Sequence, residues 1–388
     1  MADIETDILL IGGGVASARC ARQLRRDGFD GRILLVGDEP MPPYNRPPLS
    51  KELLRDDLPD DLVLAEPPSW YERRGIELRT DARVVALDPD ARSATLEDGS
   101  TIRFDRCLLA TGAEPRKLPV PGAEHALMLR TLADARRIRE AAVRAGRDAE
   151  VVVVGGGFIG LEVASSLATL GLRPAVVELG QHLWAGSMGE ELSRWAVWAL
   201  ATNGVEVRLG AGVSRVEQGA AWVGTERVPA AFVVAGIGVV PRDGLAASAG
   251  LETEDGIVTD ATHRTSHPAI WAAGDVARRT GRRIEHWHAA REGGERAARA
   301  MLGADIGSDP APWVFSDVAG HQIDVVGAPD AWGRETWVVP DRLLAHLDGD
   351  RVVQVASIDA AAPVEVLRRL VAEGIGLDGL RTAAQAIG

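Results

Sequence analysis

An apolar run of strand length that ends abruptly on three glycines occurs twice in this chain. Residues 7–17 read DILLIGGGVAS and residues 150–160 read EVVVVGGGFIG. Each copy continues into a helix-compatible stretch (18–25 and 161–170) and then into a second apolar run, RILLVG at 32–37 and RPAVVE at 173–178. A run that is apolar at every position, without alternation, suits a strand buried on both faces, as in a parallel sheet. Glycines behind such a strand let the chain turn sharply and bring backbone amides close to an anion at the start of the next helix. The pattern is strand, glycine turn, helix, strand, twice over: two nucleotide-binding βαβ units. The copies lie roughly 143 residues apart, the size of a domain, so they mark a duplication and not a solenoid.

The predicted architecture is α/β, with two Rossmann-like dinucleotide-binding domains followed by a small α+β domain. Residues 95–110, 232–238 and 271–275 read as closing strands that each deliver a glycine turn, and a helix is expected from 288 to 301. Alternating apolar residues at 322–326, 336–339 and 351–358, then a helical pattern at 363–372, make up the last segment. The expected boundaries are 1–112 with 242–309 for the first, discontinuous domain, 113–241 for the second and 310–388 for the third. At 388 residues there is material for several full cores.

Composition removes whole classes of function. Forty-three basic against 56 acidic side chains leave a net charge of −13, which argues against a nucleic-acid surface or a polybasic membrane anchor. Two cysteines, Cys20 and Cys107, with no CxxC, exclude a disulfide scaffold and a cysteine-rich metal or iron–sulfur site in this chain. The first residues carry no basic stretch before the apolar run, and no run is long enough for a membrane span, so a cytoplasmic protein is expected.

In the first unit Gly12 and Gly14 are placed to admit a pyrophosphate, Ser17 stands where a third glycine is usual, and Asp38, with Glu39 beside it, is the acid for a ribose. The second unit has Gly155, Gly157 and Gly160, with Glu178 as its acid. An acid at that position repels a 2′-phosphate, and no Lys or Arg occurs from residue 179 to 193, so NADH is expected in preference to NADPH. Two dinucleotide sites in one chain suit a resident cofactor and a diffusible one, and a flavin is the organic acceptor that stores a hydride.

Residues 37–51, GDEPMPPYNRPPLSK, closely resemble the flavin-binding segment of the FAD-dependent ferredoxin and rubredoxin reductases that serve bacterial cytochrome P450s and Rieske dioxygenases. The stretches 110–112, 155–162, 236–241, 274–275 and 312–317 extend the resemblance over nearly the whole chain. It implies a glutathione-reductase-like flavoprotein. In it Arg46 and Lys51 reach the flavin, with Lys51 near N5, where a cation favours the reduced ring. Val84, Ala110, Thr111 and Gly112 line the cofactor, Arg130 faces the pyrophosphate and Asp275 bonds the ribityl chain. His286 and Trp287 fall beside the ring, Trp287 as a shield and electron route. Glu162 matches the glutamate near the nicotinamide, and Ile159, Gly236, Ile237 and Gly238 complete the NAD site. Lys51, Glu162 and Trp287 are thus the expected catalytic residues, and no metal is expected.

The partner implied is a small acidic [2Fe–2S] ferredoxin or rubredoxin. Residues 276–299 hold seven arginines against three glutamates, so docking near Arg278, Arg279, Arg282 and Arg283, with salt-sensitive attraction, is expected. A monomer or homodimer fits. A flavoprotein acting on a small-molecule acceptor, or an NADH-sensing protein resembling apoptosis-inducing factor, stay as alternatives. The stretch 313–315, Trp-Val-Phe, departs from the family's aromatic pair ending in tryptophan.

Overall fold

The computed structural model describes residues 3–56, 58–328 and 333–387. These form two compact units: residues 1–46, 59–114 and 239–308 in the first, and 47–58, 115–238 and 309–388 in the second.

In the first unit the predicted strand is Asp3–Ile11 and the predicted helix Val15–Arg26. Strands Ile76–Arg79, Ile33–Val36, Asp3–Ile11 and Thr101–Leu109 lie side by side in parallel, and Ile270–Ala272 joins in parallel beside Thr101–Leu109. Ser93–Leu96 and Val84–Asp88 add an antiparallel hairpin. The unbroken apolar run has a clear physical cause. Ile8 and Leu10 face one core with Cys20, Leu24, Ala290 and Ala297, while Leu9 and Ile11 face another with Cys107, Ile102 and Ile270. Helix Val15–Arg26 crosses helix Trp287–Met301 on small residues; a Cβ on Gly294 would lie 2.2 Å from the Ala16 carbonyl oxygen. That second helix starts one residue before the expected 288.

The second unit repeats the device. Its parallel sheet runs Glu206–Leu209, Arg173–Glu178, Glu150–Val154, Val233–Ala235, Ala126–Met128, with Val153 opposite Val176 on one side and Val234 on the other. Helix Phe158–Thr169 follows the glycine turn. The last segment is an antiparallel sheet in the order Trp313–Val318, His321–Gly327, Arg351–Ile358, Leu343–Asp348, Arg334–Val339. Helices Val364–Ala372 and Leu377–Ile387 follow it, and Leu367 and Leu380 close its core over Val326, Leu343 and Val355. The molecule is thus mixed α/β with two Rossmann-like sheets. Among the described residues no helix is long and apolar enough to cross a membrane.

Candidate functional site: two glycine turns and a buried ion pair

The first turn is squeezed between strand ends. Gly12 N donates to Val36 O at 2.8 Å, and Ala110 N donates to Ile11 O at 2.8 Å. Gly12 has φ +121, and a Cβ there would sit 2.1 Å from the Ala110 carbonyl oxygen, so only glycine fits. Gly14, the N-cap, opens onto free space: a Cβ there meets nothing within 4 Å. Helix Val15–Arg26 has no side-chain cap and no acid in its first turn, which leaves its amides and positive dipole end for an anion. Ser17 is fully buried, and its hydroxyl has no hydrogen-bond partner. These features fit a dinucleotide pyrophosphate.

The acids of this unit, Asp38 and Glu39, already have partners within the chain. Asp38 pairs with Arg242 at 3.0 Å. Glu39 accepts from the Tyr44 hydroxyl at 2.5 Å and from Arg46 at 2.7 Å. Gly12 N bonds Val36 O just as Gly155 N bonds Val177 O, so the residue in register with Glu178 is Gly37, and the acids come one and two residues later. Burial opposes the charge of Arg46, but Tyr44, Glu39 and then Asp275 outweigh it and hold the guanidinium above its ordinary range. Thr111 donates from Oγ1 to Arg242 O at 2.7 Å, and the Gly112 carbonyl accepts from Arg242 N at 2.9 Å. Val84 is half-buried at the start of its strand and Ala110 is buried.

Asp275 follows the third glycine turn and acts electrostatically on both Arg46 and His286. His286 is the N-cap of helix Trp287–Met301, and burial pushes its imidazole down to about 4, against the pull of Asp275. The Trp287 indole N–H donates to Asn45 Oδ1 at 2.9 Å, a partner the sequence does not advertise. The arginine stretch is less bare than its sequence window suggests. Strand Ala277–Arg279 pairs with Ile257–Thr259 and with Arg282–Arg283, which brings residues 254 and 255 alongside. Arg278 pairs with Glu254 at 3.5 Å, and Arg283 with Asp255 at 3.1 Å and with Glu285. Arg279 and Arg282 face each other across the hairpin.

In the second unit Gly155 has φ +107, and a Cβ on it would lie 2.5 Å from the Gly236 carbonyl oxygen. Gly160 lies so close that its Cβ would be 2.0 Å from the Gly155 carbonyl oxygen, while Gly157 is open. Helix Phe158–Thr169 again starts without a side-chain cap or a first-turn acid, and Ile159 on that turn is exposed. Glu178 accepts from Gly156 N and Gly180 N, both at 2.6 Å, so its carboxylate is clamped at the turn. Gly236 N donates to Val154 O, Gly238 O accepts from Arg116 N, and Ile237 packs near Gly155. Arg130 donates its backbone N–H to Asp134 at the start of helix Leu132–Ala145.

Residues 47–58 belong to this unit and bring Lys51 to Glu162. The ammonium lies 2.6 Å from Glu162 Oε2, with both side chains buried. Ser50 Oγ donates to the same oxygen at 2.5 Å, and Ser316 Oγ donates to Oε1 at 2.7 Å. Lys51 also donates to Pro47 O at 3.3 Å and sits 5.7 Å from the centre of the Phe315 ring. Sequence reasoning reached Lys51 and Glu162 but not the two serines. Their signal was present in the segments ending Leu-Ser-Lys and Phe-Ser-Asp. Cys20 and Cys107 are free and buried, and burial pushes both thiols up, away from thiolate.

The family model of the pyridine nucleotide-disulphide oxidoreductases matches residues 6–294. The ferredoxin–NAD(+) reductase component of the biphenyl dioxygenase system of Paraburkholderia xenovorans (strain LB400) is 35% identical over 384 residues, covering 94% of this chain and 92% of its own. The corresponding component of the anthranilate 1,2-dioxygenase system of Burkholderia cepacia is 35% identical, covering 98% and 97%. Among solved structures, the reductase of the covalent putidaredoxin reductase–putidaredoxin complex superposes with a TM-score of 0.90 at 30% identity, covering 98% of this chain and 99% of that one. The glycine turns, the clamped acid and the matches spanning nearly the whole chain agree: the chain belongs to the pyridine nucleotide-disulphide oxidoreductase family, among its FAD-dependent NADH:ferredoxin reductases.

Proposed function

We propose that this protein is an NADH-dependent, FAD-containing reductase that delivers electrons to a small acidic iron–sulfur ferredoxin serving a Rieske or P450-type oxygenase. The observation that carries this reading is the buried Lys51–Glu162 pair in a chain whose only two cysteines are sealed in apolar cores. Family members that reduce disulfides need a thiol relay, and this chain has none to offer. Bound FAD supplies acceptance of a hydride from NADH and release of electrons one at a time.

The chain's own residues bind, orient and tune. Gly12, Gly14 and the start of helix Val15–Arg26 would take the FAD pyrophosphate, with the Ser17 hydroxyl as a further donor. Arg46 and Asp275, with Thr111 and Gly112, would hold the rest of the cofactor, and Arg130 would meet its phosphates. Gly155, Gly157 and Gly160 would receive the NADH pyrophosphate. Glu178, already fixed by two amides, would accept from ribose hydroxyls and repel a 2′-phosphate. Lys51 would supply positive charge to the flavin ring, and Glu162, which holds Lys51, would orient the nicotinamide amide. Trp287, its indole anchored on Asn45, would shield the ring. Similarity to the ferredoxin–NAD(+) reductase components of dioxygenase systems favours a cytoplasmic location.

The test is an anaerobic titration of the yellow holoprotein. NADH should bleach the visible band at stoichiometric amounts, and the concentration giving the half-maximal rate of bleaching should be roughly tenfold higher for NADPH, about 1.4 kcal/mol. Cytochrome c reduction should require added ferredoxin. A colourless protein that FAD does not reconstitute, or fast cytochrome c reduction without a ferredoxin, overturns the reading.

A further inference from the structure

Glu162 is more tightly held than an ion pair alone requires. Buried pairs are stable only where their remaining lone pairs and protons are satisfied. Here three side chains from two distant stretches of chain converge on one carboxylate: Ser50 and Lys51 at Oε2, and Ser316 at Oε1. The arrangement is asymmetric. With Oε1 taken by a hydroxyl, the ammonium is confined to the Oε2 side, where Pro47 O and the Phe315 ring complete its surroundings. The same helix face carries a separate set of bonds that fixes the backbone: Ser166 Oγ donates to Ser50 O at 2.7 Å, and Ala319 N donates to Ser165 Oγ at 2.9 Å. Strand Trp313–Val318 is therefore already fastened to helix Phe158–Thr169 without Ser316, whose hydroxyl is free to serve the carboxylate.

We propose that Ser316 is a positioning residue for electron transfer: its hydroxyl, assisted by that of Ser50, fixes the Glu162 carboxylate and thereby sets where the Lys51 charge stands. This rests on the reading above that Lys51 serves the bound flavin. Without the hydroxyl the carboxylate loses a donor that spreads its charge, and the ammonium slides to a position shared by both oxygens. Both changes weaken the positive field that Lys51 presents, which lowers the electron affinity of the ring beside it.

The experiment measures the flavin midpoint potential by anaerobic redox titration and the rate of flavin reduction by NADH in the holoenzyme. The variants are Ser316→Ala, Ser316→Thr, Ser165→Ala and Lys51→Met. Ser316→Ala should shift the potential to more negative values and slow reduction roughly tenfold, as loss of a hydrogen bond to a charged group implies. Ser316→Thr, which keeps the hydroxyl, should restore both. Ser165→Ala, which loosens the scaffold without touching Glu162, should leave the potential at the wild-type value. If Ser316→Ala does not hold FAD, Ser316→Cys replaces it, and a negative shift of the potential is again expected. An unchanged potential in Ser316→Ala alongside a shifted one in Lys51→Met overturns the role of Ser316 alone, as does an equal shift in Ser165→Ala. An unchanged potential in Lys51→Met overturns the placement of Lys51 itself, and this inference with it.

Discussion

His286, at the N-cap position of helix Trp287–Met301, carries a neutral ring, because burial pushes its imidazole from 6.5 down to about 4. The unfolded chain takes up a proton on this residue as the pH drops through about 6.5, while the folded chain resists until about 4. The unfolded state thus binds more protons in that window, so this contribution to stability is complete above pH 6.5 and is lost as the pH falls toward 4. Urea unfolding at pH 7 and pH 5 checks it. The wild type should lose more stability between the two values than His286→Gln does, and equal losses would place the imidazole in water. Asp275 sits within electrostatic reach of both His286 and Arg46, and neither relation shows in sequence spacing.

Both sheets are ordered by elements that close on glycine. Gly160 lets helix Phe158–Thr169 settle against its own turn, where a Cβ would come within 2.0 Å of the Gly155 carbonyl oxygen. Gly160→Ala must therefore push the helix start outward by an ångström or more. The expected outcome is at least a tenfold rise in KM for NADH with the FAD content of the purified protein unchanged, read by steady-state kinetics and the visible absorbance per chain. A variant with wild-type KM would show that the helix start takes no part in NADH binding. These elements were the legible part of the sequence. An apolar run buried on both faces can only be an inner strand, and a glycine crowded by neighbouring carbonyls has no substitute. The partners of the site were not legible, because they come from far along the chain. Ser316 reaches Glu162 across 154 residues and Ser50 across 112. The same holds for Arg242, which takes up Asp38, and for the acids at 254 and 255 that share the arginine hairpin. The helix Leu377–Ile387 was also missed, since its apolar face rests on little more than Leu377 and Leu380.

At the scale of the whole molecule, a net charge of −13 repels an acidic carrier at long range. The local attraction expected of Arg278 to Arg283 is weakened by Glu254, Asp255 and Glu285. The two effects oppose each other, and salt screens both. The kcat/KM for the ferredoxin should accordingly change by less than about threefold between 0.05 and 0.3 M NaCl. A steeper fall, measured by ferredoxin-dependent cytochrome c reduction, would reveal a stronger basic face than this hairpin.

The chain passes back and forth between its two compact units, leaving the first at residue 46, returning at 59, and leaving again at 114 before coming back at 239. On the ribosome, therefore, neither unit is complete while the middle of the message is being read. The first waits for residue 308, and the Lys51 stretch has no Ser316 to meet until residue 316 has been synthesised. A nascent chain threaded in this way holds apolar strands in reserve through most of its translation, exposed to aggregation until their partners arrive.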